Sequence, residues 1–197
     1  MLNDKYSIQN SGENSGVMVG SNSGSINVTL SKAVKIPSLI PNLVKLLGNI
    51  CIEEEYFASD ASTQEFKPDD KIEYNGVIAY REIIKEFSAY YFICDRYLNV
   101  YDDSHIRGKA KILKCVHMWY LRAKGQVLSE NKKSGKNEMD IVRENSDRII
   151  DMVKDQILRV VQESGEMETT YKEDMELGIA CFTCYCFMEC KILEKPL

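Results

Sequence analysis

The sequence that decides the fold class is EMDIVRENSDRIIDMVKDQILRVVQ, at residues 138–162. Its apolar residues recur every three or four positions, which places them on one face of an α-helix. The inward-facing set comprises Ile141, Ile149, Ile150, Val153, Ile157, Val160 and Val161. Gly165 follows, and glycine is the preferred residue just beyond the end of a helix. The segment therefore predicts one long amphipathic helix.

The same spacing recurs on both sides of this segment. Long helices are predicted over residues 74–101, 104–130, 138–162 and 170–193, and a short helix over residues 38–50. Residues 53–70 and 131–137 lack the period and are predicted to be a loop and an exposed linker. Long helices joined by short polar turns are typical of a bundle. We expect a mainly α fold in which residues 36–197 form a helical bundle of four long helices plus a short one.

Residues 1–35 differ from the rest because they are rich in glycine, asparagine and serine. The tripeptide Asn-Ser-Gly occurs there three times, and these residue types make tight turns. Short β-branched segments between the turns favour strands, which need a partner strand to be stable. The candidate self-association residues of this short N-terminal β-forming segment are Val17, Met18, Val19, Ile26, Val28 and Leu30. A flexible leader is the alternative that the composition leaves open.

The composition favours a cytoplasmic protein without membrane attachment. The first 24 residues contain no basic segment followed by an apolar one, so no secretory signal is predicted. The longest mostly apolar run, residues 177–188, is about half of the ~20 residues needed to cross a bilayer, which indicates a buried helix. Seven cysteines without an export signal indicate reduced thiols rather than a disulfide framework.

Four cysteines near the C-terminus superficially suggest a metal site. They are Cys181, Cys184, Cys186 and Cys190. On a helix that turns about 100° per residue, the four sulfurs diverge and cannot meet at one ion. Their neighbours are apolar, and free cysteine is among the most frequently buried residues. The sequence therefore predicts core packing, with no metal and no cofactor.

Catalytic motifs are absent from the sequence. It contains two histidines, His105 and His117, and lacks a Gly-x-Ser-x-Gly elbow, a phosphate-binding loop and a His-Glu-x-x-His pair. A packed structural histidine is the simpler interpretation of His117, because its sequence neighbours are apolar. We therefore predict a protein that is not an enzyme.

A basic stretch is the strongest functional signal. Residues 107–136 carry nine Lys and Arg against one acid, a net charge of +8, whereas residues 138–176 carry 12 acids and five bases, a net charge of −7. Four cations fall within about 80° of arc on the predicted helix. This candidate basic face consists of Arg107, Lys111, Lys114 and Arg122. It could remain solvated, dock an acidic protein surface or contact nucleic-acid phosphates. The net charge of −5 for the whole chain argues against a protein dominated by phosphate binding.

The C-terminus carries IACF at residues 179–182 and CFMECKILEKP at residues 186–196. This apolar helix with its Cys-Lys-Ile-Leu-Glu phrase and proline resembles the end of the small helical C-terminal domains of bacterial ABC-three-component conflict systems. The Asn/Gly-rich leader resembles amyloid-like or β-stacking segments at the termini of bacterial immune proteins. The resemblance implies an adaptor that couples to an ABC-type ATPase partner in phage defence.

These observations predict a non-enzymatic adaptor of bacterial antiviral defence. It is expected to form a homo-oligomer through its leader and to dock to an ABC-type ATPase or another defence-system protein. The alternative is a nucleic-acid-binding accessory protein that uses the basic face within residues 107–136.

Overall fold

The apolar periodicity of the sequence produces helices along most of the chain. The computed structural model describes residues 37–53, 67–164 and 170–196. Its helices are α1 (Ile40–Glu53), α2 (Pro68–Asn75), α3 (Arg81–Phe87), α4 (Tyr91–Ser104), α5 (Gly108–Glu130), α6 (Glu138–Glu144), α7 (Ser146–Ser164) and α8 (Lys172–Met188). These three ranges contain no strand. The predicted mainly α fold is confirmed for them, whereas the predicted β-forming segment and its six candidate residues lie outside the described residues.

Helix α8 lies at the centre of the bundle and packs against α1, α3, α4 and α7. Almost every residue from 178 to 188 is buried, as expected for a helix that is apolar on all sides. The backbones of α1 and α8 approach closely at two glycines. A Cβ at Gly178 would lie 1.9 Å from the carbonyl oxygen of Val44, and a Cβ at Gly48 would lie 2.0 Å from that of Asp174. Only glycine fits at these two positions.

The prediction of one helix over residues 74–101 is wrong, because the chain turns twice within it. Gly76 ends α2 with a φ of +66°, and its N–H donates to the carbonyl of Glu73. The carboxylate of Asp147 then accepts the backbone N–H groups of Ile78 and Tyr80 at 3.2 to 3.3 Å, which replaces helical hydrogen bonds. A second turn, the 3₁₀ segment Ser88–Tyr90, separates α3 from α4.

Two further helices differ from their predicted bounds. Helix α5 begins at Gly108 rather than residue 104, because Arg107 adopts a left-handed conformation with a φ of +58°. The predicted helix over residues 138–162 is divided into α6 and α7 at Asn145. The side-chain amide of Asn145 donates to the carbonyl of Ile141, and the Ser146 hydroxyl donates to the carbonyl of Gly76. One local and one long-range side-chain hydrogen bond thus accompany the break in the helix at this point.

The C-terminal helix and the loop before α2 also depart from the prediction. Helix α8 ends at Met188 rather than residue 193, because Cys190 has a φ of +51° and its N–H bonds to the carbonyl of Phe187. The N–H of Lys191 bonds to the carbonyl of Cys186, which completes a Schellman motif. At the predicted loop over residues 53–70, a helix already begins at Pro68. Proline is favoured in the first turn, where its missing N–H costs nothing.

No helix among the described residues is both long enough and apolar enough to cross a bilayer.

Candidate functional site

Helix α5 has a buried side and an exposed side. Its buried residues include Val116, Trp119, Tyr120 and Val127. The opposite side carries the predicted basic face, because Lys111, Lys114 and Arg122 are all exposed. Arg107, the residue before the helix, is exposed as well. The helix therefore displays all four predicted cations to solvent.

Ion pairs distinguish these four cations from others of the basic stretch. Lys109 Nζ lies 2.6 Å from Asp95 Oδ1, and Lys136 Nζ lies 2.5 Å from Glu144 Oε1. Lys124 Nζ lies 2.6 Å from both Glu138 Oε1 and Glu194 Oε1. These three lysines bind other elements of the bundle. By contrast, none of the four cations of the basic face has an ion-pair partner within residues 37–53, 67–164 and 170–196.

Two apolar side chains interrupt the basic face, which the sequence prediction missed. Met118 is 42% exposed and Leu121 is 52% exposed. Both follow Lys114 at helical spacing, four and seven residues later, so they lie on the same side of α5. The sequence could have indicated their exposure, because their spacing from Lys114 places both on the basic side of α5 and other residues fill its core side. We name the six residues Arg107, Lys111, Lys114, Met118, Leu121 and Arg122 the outer face of α5.

A groove borders the outer face on each side. One groove, of about 590 Å³, lies between α5 and the chain that follows α8, and its lining includes Lys109, Lys114, His117 and Lys191. The other, of about 390 Å³, lies between α5 and α7, and its lining includes Trp119, Arg122, Gln126 and Arg159. The cations that line both grooves extend the basic surface beyond α5 itself, and Asp155 is an acidic residue in the lining of the second groove.

The segment after α8 is held against α2 and α5 by polar side chains. Asn75 accepts the backbone N–H of Glu194 and donates to its carbonyl, both at 2.9 Å. The Glu194 carboxylate accepts the hydroxyl of Tyr120 and the ammonium of Lys124. Burial raises the pKa of Glu194, but these two donors outweigh it and hold that pKa below its usual value. The phrase Cys-Lys-Ile-Leu-Glu is therefore part of the packed structure.

The ammonium of Lys71 lies at the inner end of this segment and is fully buried. It donates to the carbonyl oxygens of Phe187 and Ile192. Burial lowers the pKa of Lys71 to about 8, although the nearby side chains of Cys190 and Glu194 raise it. His117 also contacts the segment after α8, because its Nδ1 lies 3.4 Å from the carbonyl oxygen of Lys191. The predicted structural role of His117 agrees with this position.

The C-terminal cysteines lie mainly in the core. Cys181, Cys184 and Cys186 are buried, and Cys190 is half-buried. Burial raises the pKa of the Cys186 thiol well above its usual value, so this thiol is neutral at neutral pH. In the part of the chain that the structure describes, no three His, Cys, Asp or Glu residues are arranged to hold a metal ion.

Comparison with known proteins identified no matching family model, no similar curated protein and no similar solved structure. The chemistry of the outer face is therefore the basis for assigning a function. Exposed cations and exposed apolar side chains together can bind an acidic surface that also has apolar residues.

Proposed function

We propose that this chain is a non-enzymatic adaptor whose outer face of α5 docks to an acidic, amphipathic surface of a protein partner. The observation that carries the proposal is the exposure of Met118 and Leu121 among four cations that lack ion-pair partners in the described residues. Exposed charge alone is ordinary, because Lys and Arg side chains are well solvated at a protein surface. Exposed apolar residues at the centre of that face gain free energy only when a partner covers them.

The same observation favours a protein over nucleic acid as the ligand. Phosphate binding depends on charge and does not need a methionine or leucine at the centre of the surface. A protein surface can place carboxylates against Lys111 and Arg122 while its own apolar residues cover Met118 and Leu121. Covering apolar area contributes roughly 25 cal/mol per Å². The cations would then provide the orientation and the speed of association.

The resemblance at the C-terminus supports an ABC-type ATPase of a bacterial defence system as the partner, and we include it in the proposal. Self-association through the leader residues Val17 to Val19 and Ile26 to Leu30 is a second part of it. Deletion of residues 1–31 should leave a folded helical protein of lower mass in light scattering. An unchanged oligomeric mass would contradict self-association without affecting the proposal for α5.

The docking proposal is tested with proteins encoded by the neighbouring reading frames, above all any ABC-type ATPase, by co-expression and biolayer interferometry. We expect the triple variant Lys111→Gln/Lys114→Gln/Arg122→Gln and the double variant Met118→Ser/Leu121→Ser each to weaken binding about tenfold or more. The matched controls are Lys132→Gln/Lys133→Gln in the α5–α6 linker and the exposed Ile78→Ser. Equal binding by all four variants would overturn the proposal.

Nucleic-acid binding is the second candidate, and the four exposed cations favour it. Binding of duplex DNA or single-stranded RNA should then weaken steeply with salt and fall in the triple charge variant. The Met118→Ser/Leu121→Ser variant separates the two functions, because it should leave nucleic-acid binding unchanged and impair protein docking. Absence of binding to both nucleic acids at low salt would exclude this candidate.

A further inference from the structure

Two buried cysteines from different helices meet in the core. Cys94 on α4 and Cys181 on α8 are 0% and 1% exposed, and their Sγ atoms lie 3.2 Å apart. A disulfide requires about 2.05 Å between the two sulfurs, so closure needs a movement of only about 1.2 Å. We propose that Cys94 and Cys181 are a modification site that forms an intramolecular disulfide when the protein meets a thiol oxidant.

The environment of the pair distinguishes it from other cysteines of the chain. The Sγ of Cys184 lies 3.8 Å from the carbonyl oxygen of Ile83, and the Sγ of Cys190 lies 3.8 Å from that of Met188. Cys115 lies half-buried on α5, and burial raises the pKa of its thiol despite the nearby Arg122. In the Cys94 and Cys181 pair, by contrast, each sulfur lies 3.2 Å from a second sulfur on a facing helix. Once one of them is oxidised, its resolving thiol is already in contact.

The chemistry requires a two-electron oxidant such as hydrogen peroxide. One thiolate attacks the peroxide, the O–O bond breaks, and a sulfenic acid and hydroxide form, with the hydroxide taking up the proton released by that thiol. The second thiol then attacks the sulfenic sulfur, the S–S bond forms, and the hydroxyl leaves with the second thiol proton as water. Overall, two protein thiols and one peroxide give one disulfide and two waters. Hydrogen peroxide is small enough to reach a buried pair during local opening.

The cross-link would join two elements that are far apart in sequence. The two cysteines are 87 positions apart, and α5, α6 and α7 lie between them. Closing such a long loop restricts the unfolded chain and so favours the folded state. Because α8 is the central helix, the disulfide would fix α4 to the middle of the bundle. The oxidised protein should therefore withstand unfolding better than the reduced protein.

The test treats the full chain with hydrogen peroxide, blocks free thiols with N-ethylmaleimide after denaturation and maps the peptides by mass spectrometry. We expect a peptide pair joined through Cys94 and Cys181, lighter than the two reduced peptides by two hydrogen atoms. The melting temperature should rise by about 5 °C or more and return on reduction with dithiothreitol. Recovery of both cysteines as blocked thiols, or a cross-link from either of them to another cysteine, would overturn the proposal.

Variants give a second measurement. Cys94→Ala and Cys181→Ala should each abolish the gain in melting temperature on oxidation, whereas Cys184→Ala, a buried cysteine on the same helix, should keep it. The peptide map of the unmodified chain decides the outcome even if an alanine variant fails to fold. A rise in melting temperature that persists in Cys94→Ala would contradict the assignment.

Discussion

Lys71 is a buried cation in contact with carbonyl oxygens. Burying its charge lowers stability, and this loss should make the free energy of unfolding depend on pH. Its pKa is about 8 in the folded protein, against the ordinary 10.5. Between these values the unfolded chain binds a proton that the folded chain has released, so stability rises with pH. From about pH 7.5 to about pH 9.5 the free energy of unfolding should rise by roughly 2 kcal/mol more in the natural protein than in Lys71→Met. Urea unfolding at both pH values measures this.

The comparison with Lys71→Met is needed because other groups titrate in the same pH range. Burial raises the pKa of Cys186, so the unfolded state loses that proton first and stability falls as pH rises. This contribution is present in both proteins and cancels in the difference. Parallel pH profiles in the two proteins would show that Lys71 keeps an ordinary pKa in the folded state.

Gly178 should not tolerate any side chain. A Cβ there would lie 1.9 Å from the backbone oxygen of Val44, which cannot move without separating α1 from α8. We expect Gly178→Ala to lower the free energy of unfolding by about 2–3 kcal/mol.

Gly125 on α5 is the matched control, because its Cβ would meet nothing within 4 Å. Gly125→Ala should raise stability by roughly 0.5–1 kcal/mol in thermal or urea unfolding. Equal effects of the two substitutions would contradict the close helix crossing.

At the scale of elements, Asp147 determines where α3 begins. Its carboxylate accepts the N–H groups of Ile78 and Tyr80 and so stabilises the turn after α2. We expect Asp147→Ala to reduce the free energy of unfolding by about 1–2 kcal/mol, since two backbone donors lose their acceptor. The control is Asp155→Ala on the exposed side of α7, which should change stability by less than about 0.5 kcal/mol. A loss of similar size in both variants would remove the special role of Asp147.

The contact between Asp147 and the turn after α2 also shows which elements could be predicted from the sequence. Apolar spacing identified the helical regions of α1, α5, α7 and α8, because that spacing is a local property of the chain. The break after Gly76 depends on Asp147, which lies 69 positions from Ile78, and no local pattern contains such a contact. The end of α8 depends on Cys190, a residue that does not ordinarily adopt a positive φ. Helix breaks that depend on a distant partner, or on a residue in a conformation unusual for its type, were therefore not predicted.

The candidate site was predictable in part for the same reason. The four cations could be placed on one face from helix geometry alone. The roles of Lys109, Lys124 and Lys136 could not, because their carboxylate partners come from distant elements or from across a turn. Exposure of Met118 and Leu121 likewise depends on which side of α5 the bundle covers. Tertiary packing thus decides which members of a basic stretch remain free to bind a ligand.

At the scale of the whole molecule, two carboxylates link α5 to the rest of the bundle by the same arrangement. Asp95 accepts hydrogen bonds from Lys109 and from the Tyr185 hydroxyl at 2.6 and 2.7 Å. Glu194 accepts the equivalent pair from Tyr120 and Lys124. Each carboxylate therefore joins a lysine of α5 to a tyrosine. Two cations of the basic stretch, Lys109 and Lys124, therefore form ion pairs that stabilise the bundle.

Acid should weaken these two links and release that stabilisation. Burial raises the pKa of Asp95 and of Glu194, but their lysine and tyrosine donors lower both overall. A lowered folded pKa gives stability that is present above the unfolded pKa and is lost as pH falls through the folded pKa.

At about pH 7, Asp95→Asn and Glu194→Gln should each lower the free energy of unfolding by roughly 1 kcal/mol, after allowance for solvent screening. The cost should begin to shrink below about pH 4, where the carboxyls of the unfolded chain take up protons, and should vanish once the pH falls below the lowered pKa values of the folded protein. The control is Asp155→Asn on the exposed side of α7. If the cost of Asp95→Asn and Glu194→Gln in urea unfolding does not change with pH, these carboxylates are not charged partners of α5.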